Sequence, residues 1–202
     1  MKNRKKKNWY DYLWIATILY LTLGLFNILF AWLGLACFLI PLIISFTKKD
    51  KAYCNSYCGR GQLLELLGSK FSRNKPIPKF LKIKWFRYGF LIFFMAMFVN
   101  MLFSTYLVFK GTKSLKEVIT LMWTFKVPWH FAELSNVTPW VAQFAFGFYS
   151  MMLTSTILGI ATMLLYKPKS WCVYCPMGTM TQGICIIKDQ VKLGSRGSSI
   201  SR

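Results

Sequence analysis

Long apolar runs separated by short basic blocks set the pattern of this chain. The first run extends from Leu13 to Phe46, 34 residues without a charged side chain. One helix crosses a hydrocarbon layer of about 30 Å in roughly 20 residues. The run is therefore too long for one helix and just long enough for a tight pair. Lys2, Arg4, Lys5, Lys6 and Lys7 precede it, and Lys48, Lys49 and Lys51 follow it. Basic residues at both ends put both ends on the inside and require an even number of crossings. The pattern predicts a helical hairpin over 13–46 that turns between Asn27 and Gly34. A cleavable signal peptide has a far shorter apolar core and a small-residue cleavage site, neither of which is present.

Two further runs complete the pattern. Tyr88 to Phe109 reads as a third span, and Trp140 to Tyr166 as a fourth closed on the inside by Lys167 and Lys169. Between the first hairpin and the third span lie 11 basic and two acidic residues, with Pro76 and Pro78 breaking any long helix. Lys110 to Pro139 reads as the external loop, with Met122, Trp123, Phe125, Trp129 and Phe131 at the membrane interface. The predicted fold class is an all-α integral membrane protein with four transmembrane helices in two pseudo-repeated hairpins. Each hairpin is followed by a cytoplasmic Cys motif and a short amphipathic helix. The segments are a basic cytoplasmic N-terminus (1–12), hairpin 1 (13–46), a cytoplasmic loop with the first Cys motif (47–87) and helix 3 (88–109). The external loop (110–139), helix 4 (140–166), the second Cys motif with its helix (167–192) and a Gly- and Ser-rich flexible tail (193–202) follow.

Composition agrees with this reading. Hydrophobic residues make up 55% of the 202 and charged ones 16%, more apolar surface than one soluble core of this size hides. A net charge of +20, from 26 Lys+Arg against 6 Asp+Glu, suggests nucleic acid in a soluble protein. Here the cations sit in blocks between apolar runs, as in the inner loops of a membrane protein, so no nucleic-acid partner is expected. The span cores hold no ionisable side chain, which argues against a pump or proton-coupled transporter. Asn27 and Asn100 are their main polar residues and read as interhelical hydrogen-bonding groups.

Candidate chemistry lies in the cysteines. Cys54-Asn55-Ser56-Tyr57-Cys58 follows the first hairpin, and Cys172-Val173-Tyr174-Cys175-Pro176 follows the fourth span. Tyr57-Cys58-Gly59-Arg60-Gly61 lines up with Tyr174-Cys175-Pro176-Met177-Gly178. Two Cys pairs at matching ends of two hairpins bring four thiols together just inside the membrane, where a reducing cytoplasm keeps them as thiols or metal ligands. With no His or carboxylate near either pair, the set is all-sulfur, which suits an iron–sulfur cluster or structural zinc. Gly59, Gly61 and Gly178 let backbone N–H groups approach a bound group. Arg60, Lys167 and Lys169 are placed to offset its negative charge. Cys37 and Cys185 read as apolar packing. His130, the one histidine, falls in the external loop, so a bis-histidine haem within the chain is excluded.

Cys54 to Glu65 (CNSYCGRGQLLE) and Trp171 to Gln182 (WCVYCPMGTMTQ) resemble the paired motifs of the polytopic membrane 4Fe-4S proteins, the NapH/NosR-like ferredoxin-type family. That family carries two cytoplasmic Cys-x3-Cys-Pro motifs, each leading into a Gly-containing helix. Here Gly59 stands where the family has Pro, and the second motif has two residues between its cysteines. The resemblance implies a [4Fe-4S] cluster, bound as cofactor and metal centre by Cys54, Cys58, Cys172 and Cys175, and electron transfer at the membrane. The protein then reads as an electron carrier or redox-complex subunit rather than a catalyst, in the multi-pass plasma membrane of a prokaryote. Its partners would be the lipid bilayer, a cytoplasmic donor, and an acceptor such as a quinone, a flavoprotein or an external subunit. Two alternatives remain open: a membrane thiol–disulfide oxidoreductase using Cys172 and Cys175, and a structural zinc-binding subunit.

Overall fold

The computed structural model describes residues 12–47, 58–73, 75–128, 137–168 and 170–198. The basic N-terminal block, the cations after the first hairpin, Cys54 and His130 lie outside the described residues. Helices are α1 (Leu13–Phe26), α2 (Leu33–Thr47), α3 (Gly59–Phe71), α4 (Lys79–Lys82), α5 (Lys84–Phe109), α6 (Pro139–Leu165) and α7 (Pro176–Ser198). Helix α7 continues to Ser198, through part of the Gly- and Ser-rich stretch expected to be flexible.

Two of these helices, α5 with 26 residues and α6 with 27, are long and apolar enough to cross a membrane. The first hairpin forms as expected and turns through a 3-10 segment, Ile28–Trp32. Its helices have 14 and 15 residues, about 21 and 22 Å at 1.5 Å per residue, which falls short of a ~30 Å layer. Of the four spans predicted from the sequence, two are long apolar helices and the other two form the short hairpin. Asn27 explains the turn: its backbone is extended, and its side-chain oxygen accepts from the Leu29 N–H at 3.0 Å. Its role is a local cap rather than an interhelical bond. Asn100 is exposed on α5.

The fold is also not purely helical. Val118–Leu121 (β1) and Phe125–Pro128 (β2) form an antiparallel pair. The β-branched run Val118-Ile119-Thr120 favours a strand, and Met122 and Trp123 adopt the left-handed region at φ 49° and 60°. Thr124 N–H closes the turn on Leu121 O at 3.1 Å. The sequence offered no Asn-Gly or Asp-Gly pair to mark this hairpin. It folds back onto α6, where Thr120 N–H donates to Ser150 Oγ at 3.0 Å and Ile119 is buried.

Helix α6 is the most buried of the long helices, with Ala145, Phe146, Phe148, Tyr149 and Thr154 among its buried residues. Its buried hydroxyls are satisfied within the helix. Ser150, Thr154 and Thr156 each donate to the carbonyl four residues back, and Ser155 to the one three back. Helix α5 runs antiparallel beside it, pairing Phe109 with Trp140 at one end and Phe90 with Trp171 at the other. Tyr149 ties α1 to α6 through its hydroxyl, which donates to Leu21 O at 2.9 Å. The 3-10 turn packs Ile28 and Ala31 against Ala145, Phe146 and Tyr149, partway along α6.

The packing obeys the internal repeat read from the sequence. Helix α3 packs on α1, from its own hairpin, and on α6 from the other. Helix α7 packs on α5, from its own half, and on α2 from the other. Each helix that follows a Cys motif therefore bridges the two halves. Outward, Trp85, Ile92, Val99, Phe103 and Phe109 of α5 and Leu19, Phe26, Leu33 and Ile43 of the short hairpin are each more than half exposed.

Candidate metal centre

Each Cys motif ends where a helix begins. Cys58 is the N-cap of α3: its backbone is extended, and its sulfur accepts from the Gly61 N–H at 3.4 Å. Cys175 immediately precedes Pro176, the first residue of α7. Pro suits that place because the first helical N–H has no intrahelical partner. The N-terminus of a helix carries partial positive charge and unpaired N–H groups, so both motifs present cysteine where an anion is favoured.

The two motifs meet at Gly61. A Cβ built there would lie 3.6 Å from Cys58 Sγ and 3.8 Å from Cys172 Sγ. The two sulfurs are therefore no farther apart than the sum of those distances, although they come from opposite halves of the chain. A short 3-10 turn, Ser170–Val173, shapes the second motif. Tyr174 and Cys175 N–H groups both bond to Trp171 O, at 3.2 and 3.0 Å. This turn leaves Cys172 exposed and draws Cys175 half into the core. Among the described residues, no three Cys, His, Asp or Glu side chains gather into a metal-sized group. The pair that the fold assembles is Cys58 with Cys172. Cys54, the remaining residue of the proposed set, lies outside the described residues.

Aromatic rings close the site on the α5 side. Trp171 and Tyr174 are buried and pack edge-on at 5.0 Å, and Phe90 meets them at 5.8 and 5.1 Å. Burial raises the Tyr174 pKa above its ordinary value, negative charge at Cys175 adds to the rise, and a hydrogen bond with Thr162 opposes it. The phenol is thus held neutral beside the cysteines.

Gly59 has a packing reason that sequence reading left open. A Cβ at this position would lie 2.5 Å from Leu13 O and 2.7 Å from Thr17 Oγ1. The start of α1 sits directly on the start of α3, so a backbone oxygen occupies the space of any side chain. Gly59→Ala is expected to lower stability by about 1–3 kcal/mol through this overpacking. A fall in the unfolding temperature of the detergent-solubilised protein checks it; an unchanged temperature would mean that α1 does not rest there.

One residue enters the site that sequence reasoning placed elsewhere, and Arg60, expected there to offset negative charge, reaches further than the sequence shows. Cys37, assigned to packing, is exposed on α2 and interacts electrostatically with Cys58 and Arg60. No spacing rule links it to the motifs, since only the return of α2 along the bundle brings it near. Arg60 projects from the first turn of α3 onto the middle of α6. It donates through Nη1 to Ser155 Oγ and through Nη2 to Met152 Sδ at 2.8 Å. The sequence showed no charge within the span cores. The structure inserts one from outside them. Cys185, by contrast, lies ten residues beyond Cys175 within α7, about 15 Å along the helix axis.

Residues 30–78 and 150–192 match the family model of the 4Fe-4S binding domain. The matched segments contain both Cys motifs, the helices that follow them and the second half of α6. No curated protein and no solved structure matches the chain. The match identifies a [4Fe-4S] cluster as the cofactor. The residues fit it: two thiols from separate motifs converge over a glycine, their helices point N-termini toward them, and the donor set is sulfur.

Proposed function

We propose that this 4Fe-4S binding chain is a membrane-embedded electron carrier, with its cluster held at the cytoplasmic face by Cys54, Cys58, Cys172 and Cys175. The observation that carries the proposal is the meeting of Cys58 and Cys172 over Gly61, which joins two motifs that the sequence keeps far apart. When bound, the cluster supplies a one-electron couple. The chain supplies the rest. Four thiolates grip the group, Gly61 leaves room beside two of them, and the first turns of α3 and α7 direct N–H groups at its negative charge. Trp171, Tyr174 and Phe90 shut water out on one side, while exposed Cys172 marks the side where a partner approaches.

Membrane placement is supported by the exposed apolar side chains of α1, α2 and α5, a far larger apolar surface than a soluble monomer shows. In this reading α5 and α6 cross the bilayer. The short hairpin enters and leaves on one face, its turn lodged against Ala145–Tyr149 of α6. Irregular backbone at membrane depth is tolerated where protein covers it, and Ile28 and Ala31 in the turn are fully buried. Such a re-entrant hairpin leaves both termini and both Cys motifs on one side, as four crossings would. The exposed cations Lys70, Arg73, Lys75, Lys79, Lys82, Lys84 and Lys167 support reading that side as the cytoplasmic one. A soluble one-electron donor would load the cluster there, and a quinone, flavoprotein or further redox subunit would discharge it. The NapH/NosR-like motif pattern supports the same role.

Anaerobic purification from membranes tests the proposal. About four irons and matching acid-labile sulfide per chain are expected, with an EPR signal on reduction. Colourless protein with bound zinc, or with a Cys172–Cys175 disulfide, would overturn it in favour of a structural subunit or a thiol–disulfide oxidoreductase.

A further inference from the structure

We infer that Arg60 is the fixed countercharge that sets the reduction potential of the cluster. The inference rests on the electron-carrier reading above and adds the residue that tunes it. Arg60 is half-buried on α3, which packs here on α1 and α6. Its two hydrogen-bond acceptors, Ser155 Oγ and Met152 Sδ, are both uncharged. Among the described residues, the groups in its electrostatic range include the Tyr20 phenol and the Cys37 thiol. A guanidinium stays protonated at any working pH and is costly to hold away from water without an anion. Among the described residues its contacts include no carboxylate.

A thiolate-bound cluster would supply the anion that the described residues do not. Arg60 stands two residues after Cys58 and directly before Gly61, where the Cys58 and Cys172 sulfurs meet. Ser155 and Met152 pin the guanidinium to α6, so the charge is fixed in place rather than free to swing into solvent. Reduction adds negative charge at the sulfur site, and a fixed cation beside it favours the reduced state. Arg60 therefore raises the midpoint potential. The remaining cations of this face, Lys70, Arg73 and Lys167 among them, are exposed and screened by solvent and salt. They contribute less per charge.

The test is a redox titration of the full chain in lipid nanodiscs, followed by EPR of the reduced cluster. Arg60→Gln is expected to shift the reduced-to-oxidised ratio at fixed potential at least tenfold toward oxidised, a midpoint about 59 mV more negative for a one-electron couple. Arg60→Lys keeps the charge and should restore most of the wild-type midpoint. Ser155→Asp covers the case in which Arg60 variants fail to fold. It leaves Arg60 in place, sets a carboxylate against the guanidinium, and should move the midpoint in the same negative direction. Ser155→Ala keeps the charge but removes one of its two anchors, and should move the midpoint less than Ser155→Asp. An iron-replete Arg60→Gln or Ser155→Asp protein with an unmoved midpoint would overturn the inference alone. Wild-type protein without iron would overturn it together with the reading it rests on.

Discussion

Replacing Cys172 with Ala is expected to take bound iron from about four per chain to background, with loss of the visible charge-transfer absorbance. Cys172 is the exposed member of the pair over Gly61, so the change removes a proposed ligand at the surface of the fold. Cys58→Ala should lose iron as completely, but with a second effect. The Cys58 sulfur also accepts from the Gly61 N–H at the start of α3, and removing a cap costs about 0.5–2 kcal/mol for strong capping residues, less for a sulfur acceptor at 3.4 Å. The iron-free Cys58 variant should therefore unfold slightly below the iron-free wild-type chain. Cys185→Ala serves as the control, since about 15 Å of helix separates that thiol from Cys175. Iron and sulfide assays on the three proteins decide the matter. Full iron in the Cys172 variant would remove that residue from the ligand set.

Gly61→Leu is expected to cut iron loading more than tenfold while leaving the helices formed. A Cβ at this position makes ordinary contacts of 3.6 and 3.8 Å with the two sulfurs, so the iron-free fold accommodates it. Leucine is also the better helix former, by close to 1 kcal/mol over glycine within a helix. The rest of its side chain, however, extends into the space between the thiols. Gly61→Ala, with only the Cβ, should fall between Leu and the wild type. Iron per chain is read against far-UV circular dichroism, which separates a blocked site from a misfolded one. Normal loading of Gly61→Leu would mean that the cofactor is not held between Cys58 and Cys172.

Much of the architecture was legible from local pattern. The run from Leu13 to Phe46 announced a hairpin, and the turn falls at Ile28–Trp32, within the expected window. The runs over 88–109 and 140–166 became α5 and α6. The echo between the two Cys segments reappears in the packing of α3 and α7, each bridging both halves. Helix length was harder to read. Apolar residues are equally content in a full span and in a short hairpin, and only the packing of Ile28 and Ala31 against α6 fixes how far the hairpin reaches. The β1–β2 pair was missed because its turn uses Met122 and Trp123 in a conformation that the sequence signals through Gly or Asn.

By itself, then, the sequence determined the long apolar helices and the kind of chemistry. Hydropathy is additive along the chain, and thiol pairs next to glycines limit the cofactor to one that sulfur binds. Tertiary structure decided which groups share a site. It joined Cys58 to Cys172 over Gly61, brought Cys37 within electrostatic range, and carried the guanidinium of Arg60 onto Ser155 in the middle of an uncharged helix. Those relations depend on how helices from distant parts of the chain cross. Side-chain identity states what each residue can do, but the crossing of α3 over α6 sets what it does it to.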